Sequence, residues 1–321
     1  MAKSYYQHRA DCIWFFRNTI RFLRNNLKFR FLQDKDLNVL FFVIDPKKDH
    51  PGMVDRFKGI VNAYYFAKQN NYAFKIIYKT PFPLENYLHP NNINWVADWC
   101  DLKYSIFQTR FINECDWHKL PKLRKNRQYH IYNYVGNGIA PFVPAGESQR
   151  IWRELFNDLF VPTRVLSDVI ESNILHIGFP FVAIHIRFVN TLDSFETSHS
   201  FTGCNTLTPC QQSDLIERCK SGIMRIIQDN GNAHHYLVLS DSKRFLNDIK
   251  ELPVITLPTD KIAHTSFTTD EATILKTFLD FFLLSRADVV YRIMAPELYS
   301  SSCYALYASI VGNVPFKTVN V

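Results

Sequence analysis

After Gly146 the sequence settles into an alternation that leaves few folds open to it. Helical periodicity over 149–160 and 162–172 leads into an apolar run from Phe181 to Phe188. Helix 210–229, strand 235–240, helix 242–250, strand 254–257, helix 270–286, strand 287–291 and helix 303–311 follow. Strands separated by helices pair in parallel, and a parallel sheet needs helices on both faces to cover it. The same grammar opens earlier, with strand 37–44, helix 55–69 and strand 73–78 forming one βαβ unit. At 321 residues, and with about 150 residues per domain as a guide, two α/β domains are expected. They divide as 1–148 and 149–321, two Rossmann-like domains facing across a cleft. The stretch 80–146, where Pro, Asn and aromatic residues mix with charges, yields only a loose assignment.

The run 181–188 carries chemistry as well as structure. Side chains alternate along a strand, so His185 and Arg187 share one face while Ile184, Ile186 and Phe188 take the other. A buried guanidinium needs a partner. A diphosphate would satisfy it through two parallel charge-assisted hydrogen bonds, and so would a nearby Asp or Glu of the fold. The formal charge of +7 and pI near 8.9 favour anionic partners without choosing among nucleotides, nucleic acid, acidic glycans and a membrane surface. Neither half has G-x-G-x-x-G or G-x-x-x-x-G-K-[ST], so a nucleotide would have to be held differently from those of simple NAD enzymes and P-loop NTPases.

Other features bound the answer. Seven scattered cysteines, with no C-x-x-C pair, fit a reducing cytoplasm. No run approaches the 18 apolar residues that a spanning helix needs, and no secretory signal is visible. Over residues 12–31, apolar Ile13, Phe16, Ile20, Leu23 and Leu27 recur at helical spacing beside Arg17, Arg21, Arg24 and Lys28. Such a helix either packs on its own domain with a solvated basic face or lies peripherally on anionic lipid at the inner face of the membrane. Asp34-Lys-Asp36 has D-x-D form but falls where a polar turn is expected, and His234-His235 lacks a third ligand, so no metal is assigned.

Three segments together resemble the fucosyltransferase superfamily of GT-B-like enzymes, which includes core α1,6-fucosyltransferase, the Nod-factor fucosyltransferase and the protein O-fucosyltransferases. His185, Arg187 and Asn190 match H-x-R-x-[GT]-[DN]; Ser240-Asp241-Ser242 is similar to T-D-[DS]; and Asp280 through Leu284-Ser285-Arg286-Ala287-Asp288 matches D-x-x-x-L-S-x-A-D. Ser300-Ser301-Ser302 resembles the Ser-rich turn that opens a later helix, and Gly52, Asp55 and Arg56 match a G-x-x-[DN]-R loop. The middle of the chain is unmatched.

This resemblance implies inverting transfer of a sugar, most often fucose, from a GDP-sugar to a glycan or protein acceptor, as in surface glycan synthesis. The GDP-sugar is the donor substrate, and no cofactor or metal is implied. Arg187 would meet the diphosphate and the departing charge, His185 the β-phosphate or ribose, Asp241 the ribose, Asp280 the guanine edge, and Ser301 and Ser302 a phosphate. Val189 departs from the family's Gly or Thr, so the identity of the sugar does not carry over. Asp193, Glu196 and Asp55 are the candidates for a general base on the acceptor hydroxyl, each also readable as a solvated loop charge. Two other classes compete. One is a non-catalytic module that binds GDP-sugar or glycan. The other is a basic RNA-binding or membrane-surface protein, although no RNA-recognition motif is present.

Overall fold

A four-stranded and a five-stranded parallel sheet, with a two-stranded sheet of Leu88–Pro90 and Phe160–Pro162, make up the architecture in the computed structural model, which describes residues 31–46, 52–112, 122–132, 139–193, 207–231, 234–257 and 269–321. The basic stretch 12–31, but for its last residue, lies outside the described residues, as does Glu196. The chain forms two compact units: Met1–Lys48, Asp55–Thr80 and Pro90–Ser148 make the first, and Asp49–Val54, Pro81–His89 and Gln149–Val321 the second.

In the first unit, strand β1 (Val39–Val43) is buried at every position, as a strand covered on both faces must be. Helix α1 (Met53–Gln69) connects it to β2 (Ala73–Ile77). Two further strands, β3 (Thr109–Ile112) and β4 (Gln128–Ile131), fall in the stretch that resisted assignment, and the order is β2-β1-β4-β3, all parallel. Both are four residues long, too short to show a period against their mixed surroundings. Inside this unit His130 is fully buried among the rings of Phe41, Tyr104, Phe111 and Tyr132, and its Nε2 donates to Gln128 Oε1 at 2.6 Å.

The second unit begins with α2 (Ser148–Leu159) and α3 (Arg164–Ile177). Between them 160–162 is extended rather than helical, because Thr163 caps α3 with its side chain and so fixes where that helix can start. Gly178, at φ +84°, ends α3 in a conformation that suits glycine. Then come β5 (Phe181–Ile186), α4 (Pro209–Asn230), β6 (His235–Ser240), α5 (Lys243–Asp248), β7 (Ile255–Thr256), α6 (Glu271–Leu284), β8 (Val289–Met294), α7 (Tyr304–Gly312) and β9 (Phe316–Asn320). The strand expected over 287–291 starts two residues later and runs to Met294, which brings Arg292 into the sheet. Strand β9 was not anticipated: its Lys317 and Thr318 are exposed, as an edge strand allows.

The parallel order is β9-β8-β5-β6-β7. One face of β5, carrying Val182, Ile184 and Ile186, packs with Phe188 against Leu215, Cys219, Ile223 and Ile226 of α4. Burying such side chains contributes about 1.5–3 kcal/mol each. His185 looks the other way, where its ring stacks on Tyr304 of α7 at 5.3 Å. Chain order reverses between β5 and β8, since β6 extends the sheet on one side and β8 on the other. In doubly wound sheets the carboxyl ends of the strands at such a reversal are where ligands bind.

Candidate donor site at the strand-order reversal

Strand β5 stops at Ile186, so Arg187 projects from the first residue past the sheet. Its Nη1 lies 2.9 Å from Oδ2 of Asp241, at the end of β6, with the Arg side chain 24% exposed and the Asp 7%. Asp241 also accepts the backbone N–H groups of Phe188 at 2.7 Å and Val189 at 2.8 Å. Both carboxylate oxygens are therefore engaged in shaping the loop after β5. This carboxylate ties the Arg187 guanidinium to the backbone that follows it. Val189 adopts φ +55°, a left-handed conformation that is strained for a β-branched residue. The hydrogen bond to Asp241 and full burial of its side chain hold it there. A valine here thus takes a backbone conformation more often found at glycine.

His185 is 6% exposed, and its Nδ1 is enclosed with no hydrogen-bond partner. Burial, reinforced by the cations Arg187, Arg292 and Lys276, lowers its pKa from 6.5 to about 3, so the ring is neutral at physiological pH. Arg292 sits opposite His185 in the register of β8 on β5. One guanidinium nitrogen donates 3.0 Å to the carbonyl of Ser302, and its Nε is buried and unbonded. Arg292 thereby fastens the turn Ser300–Ser302, whose first two residues are exposed and whose third is half-buried. Helix α7 starts at Tyr304 without a side-chain cap, which leaves its first N–H groups to other acceptors.

Asp280 lies on α6, where Lys276 Nζ approaches both carboxylate oxygens, at 2.8 and 2.7 Å. Burial raises the Asp280 pKa and the Lys276 ammonium opposes the rise. The hydroxyl of Tyr304 donates to the carbonyl of Thr277, tying α7 to α6 beside this pair. The charge of Asp280 and the burial of the ring push the tyrosine well above its usual range, burial being the larger cause.

Of the expected site residues, the second unit holds Arg187, His185, Asn190, Asp241, Asp193, Asp280 and Ser300–Ser302. Asn190 is half-buried in the turn after Val189, and Asp193 accepts a long 3.4 Å hydrogen bond from the backbone of Arg244. Asp55 and Arg56 belong to the first unit. Asp55 is half-exposed and pairs with Lys58 at 2.6 Å. Arg56 is fully buried and donates to the hydroxyl of Tyr78, a residue of the same unit. Gly52 immediately precedes α1. Among the described residues no group of three His, Cys, Asp or Glu is placed to hold a metal ion, and no helix is long and apolar enough to cross a membrane.

Sequence reasoning missed Arg292, Lys276 and Tyr304. Lys276 carried a signal, one helical turn before Asp280 in a segment already matched. Arg292 and Tyr304 join the group only through strand register and helix packing.

The parallel sheets and the reversed strand order define the class of this molecule: an α/β fold similar to that of solved GT-B-like fucosyltransferases. No protein-family model matches the sequence, and no curated protein matches it. Among solved structures the chain is similar to NodZ α-1,6-fucosyltransferase soaked with GDP-fucose, with a TM-score of 0.55 and 12% identity over 84% of this chain and 92% of that one. Fucosyltransferase NodZ from Bradyrhizobium gives 0.55 and 11% over 84% and 91%. A variant of Arabidopsis thaliana FUT1 in complex with GDP gives 0.55 and 10% over 94% of this chain and 74% of that one. At these identities the likeness is one of fold.

Proposed function

We propose that this protein is a glycosyltransferase that takes its sugar, in the first instance fucose, from a GDP-sugar and transfers it with inversion to a glycan acceptor. The observation that carries the reading is the grouping of Arg187, His185 and Arg292 at the carboxyl edge of β5 and β8, where chain order reverses. The fold likeness to GDP-fucose and GDP complexes supports it.

In this reading the acceptor hydroxyl oxygen attacks the anomeric carbon while the bond from that carbon to the phosphate oxygen breaks. The electron pair leaves with GDP, and the hydroxyl proton passes to a base. Arg187, already oriented by Asp241, donates to the leaving diphosphate as its charge grows, which is the preorganised stabilisation that lowers a barrier most effectively. Neutral His185 offers a hydrogen bond without competing for the charge. Asp193, on the loop after β5, and Asp55, in the first unit, are the base candidates among the described residues; the third candidate, Glu196, lies outside them. Guanidinium and ammonium groups supply the positive charge, so transfer is expected to survive chelation of divalent ions.

Calorimetric titration of GDP, with UDP and ADP as controls and EDTA present, into wild type and Arg187→Ala tests the donor site. Release of GDP from GDP-fucose in the presence of oligosaccharide acceptors tests transfer. Selective GDP binding lost in Arg187→Ala supports the reading. Absence of GDP binding to wild type overturns it, and binding without hydrolysis or transfer would identify a non-catalytic module instead.

A further inference from the structure

Lys276 and Asp280 form a pair that helix stability does not explain. Both lie on α6, four residues apart, and their side chains are only 19% and 15% exposed. Such pairs stabilise helices best with the acid nearer the N-terminus, and the helix dipole favours cations rather than anions toward the C-terminus. Here the order is reversed, with Asp280 in the last part of the helix. Nor does a buried ion pair ordinarily add net stability, because desolvation offsets the attraction.

The hydrogen-bonding capacity left over is more informative. The ammonium has three protons, of which two go to the oxygens of Asp280; no other acceptor among the described residues takes the third. Each carboxylate oxygen keeps a free lone pair. The intact pair therefore presents one donor beside two acceptors. It does so next to Tyr304, which stacks on His185, and the Lys276 charge reaches that histidine.

We infer that Lys276 is a specificity-determining residue for the nucleobase: it donates to the 6-oxo group of a purine while Asp280 accepts from the ring N1–H and the 2-amino group. The inference rests on the reading of this unit as the GDP-sugar site, and adds a second reader to the carboxylate. Guanine's edge runs acceptor, donor, donor, the complement of this pair. Adenine offers a donor and then an acceptor, and so meets like with like at both positions. Hypoxanthine keeps the first two matches and lacks the third.

The test is titration of GDP, IDP and ADP into wild type, Lys276→Met and Lys276→Gln, with thermal melting to verify folding. Wild type should prefer GDP to IDP and IDP to ADP. Lys276→Met should weaken GDP and IDP by the same factor, about tenfold for a lost hydrogen bond from a charged donor, and leave ADP no worse. Lys276→Gln, whose amide still donates, should recover part of the loss. If wild type binds GDP and Lys276→Met keeps the same ratio of GDP to ADP affinity, Lys276 is only a counter-ion and the inference fails while the donor site stands. If wild type binds no GDP, both fail. Should Lys276→Met unfold, the Lys276→Gln ratios decide: a GDP to ADP preference reduced from that of wild type supports the inference, and one unchanged overturns it.

Discussion

Arg187 and Asp241 meet at the ends of neighbouring parallel strands, and the carboxylate that holds the guanidinium also accepts the two backbone N–H groups that follow it. One buried acid thus sets both the direction of the arginine and the path of its loop.

Asp241→Ala should cost about 3–5 kcal/mol of stability, the range for breaking a buried pair by removing one partner. Asp241→Asn, which can still accept one backbone bond, should cost less. Urea unfolding of the two variants beside wild type gives the comparison, and equal midpoints for all three would show that the pair holds nothing.

Acid should destabilise the protein through its buried histidines. His130 and His185 are each held near 3 against an ordinary 6.5, chiefly by burial. The unfolded chain takes up those protons first, so their contribution is intact above about pH 6.5 and is lost progressively as pH falls toward 3. His130→Phe should flatten that part of the stability profile measured by denaturant titration between pH 7 and 4. An unchanged slope would mean that His130 is protonated in the folded state.

Arg292→Met removes the bond to the Ser302 carbonyl and one of the cations around His185. GDP affinity is expected to fall about tenfold, the worth of one charged hydrogen bond, while the melting temperature changes little. Loss of melting temperature without loss of affinity would make the arginine a structural clasp of the sheet alone.

Gly312→Ala should be severe. An added Cβ would lie 1.8 Å from the carbonyl oxygen of Ser285, a backbone atom that cannot step aside. Overpacking of this kind costs roughly 3 kcal/mol, and here it would force α7 away from the end of α6. Thermal melting together with GDP titration would show both effects.

The second unit was legible because its elements are long and its strands are buried on both faces, so apolar runs and helical stripes announce themselves. Strand β5 shows this: every residue is buried, and the run stands out between Gly178 and the charged turn. The strands of 109–131 did not stand out, since Thr109, Gln128 and His130 are polar residues buried inside the fold. At the site, motif residues on one strand end or one helix could be seen directly. Pairing of Arg187 with an acid of the fold was one of two alternatives, but that the acid is Asp241 could not be read, and Arg292 could not be seen at all, because its place depends on which strand lies beside β5.

Placing β8 between β5 and β9 also sets a schedule for folding. As the chain is synthesised, β5 can gain its β6 partner early, but its other edge stays open until residue 294 has been made. That edge is Phe181–Ile186, apolar except for His185, and an unpaired apolar strand edge is a template for pairing with other chains. Proteins shortened anywhere before residue 289 should therefore aggregate through this edge, and pauses in translation between 257 and 289 should be the costly ones. The strand that carries Arg292 into the site is also the one that closes the sheet against its neighbours in a crowded cell.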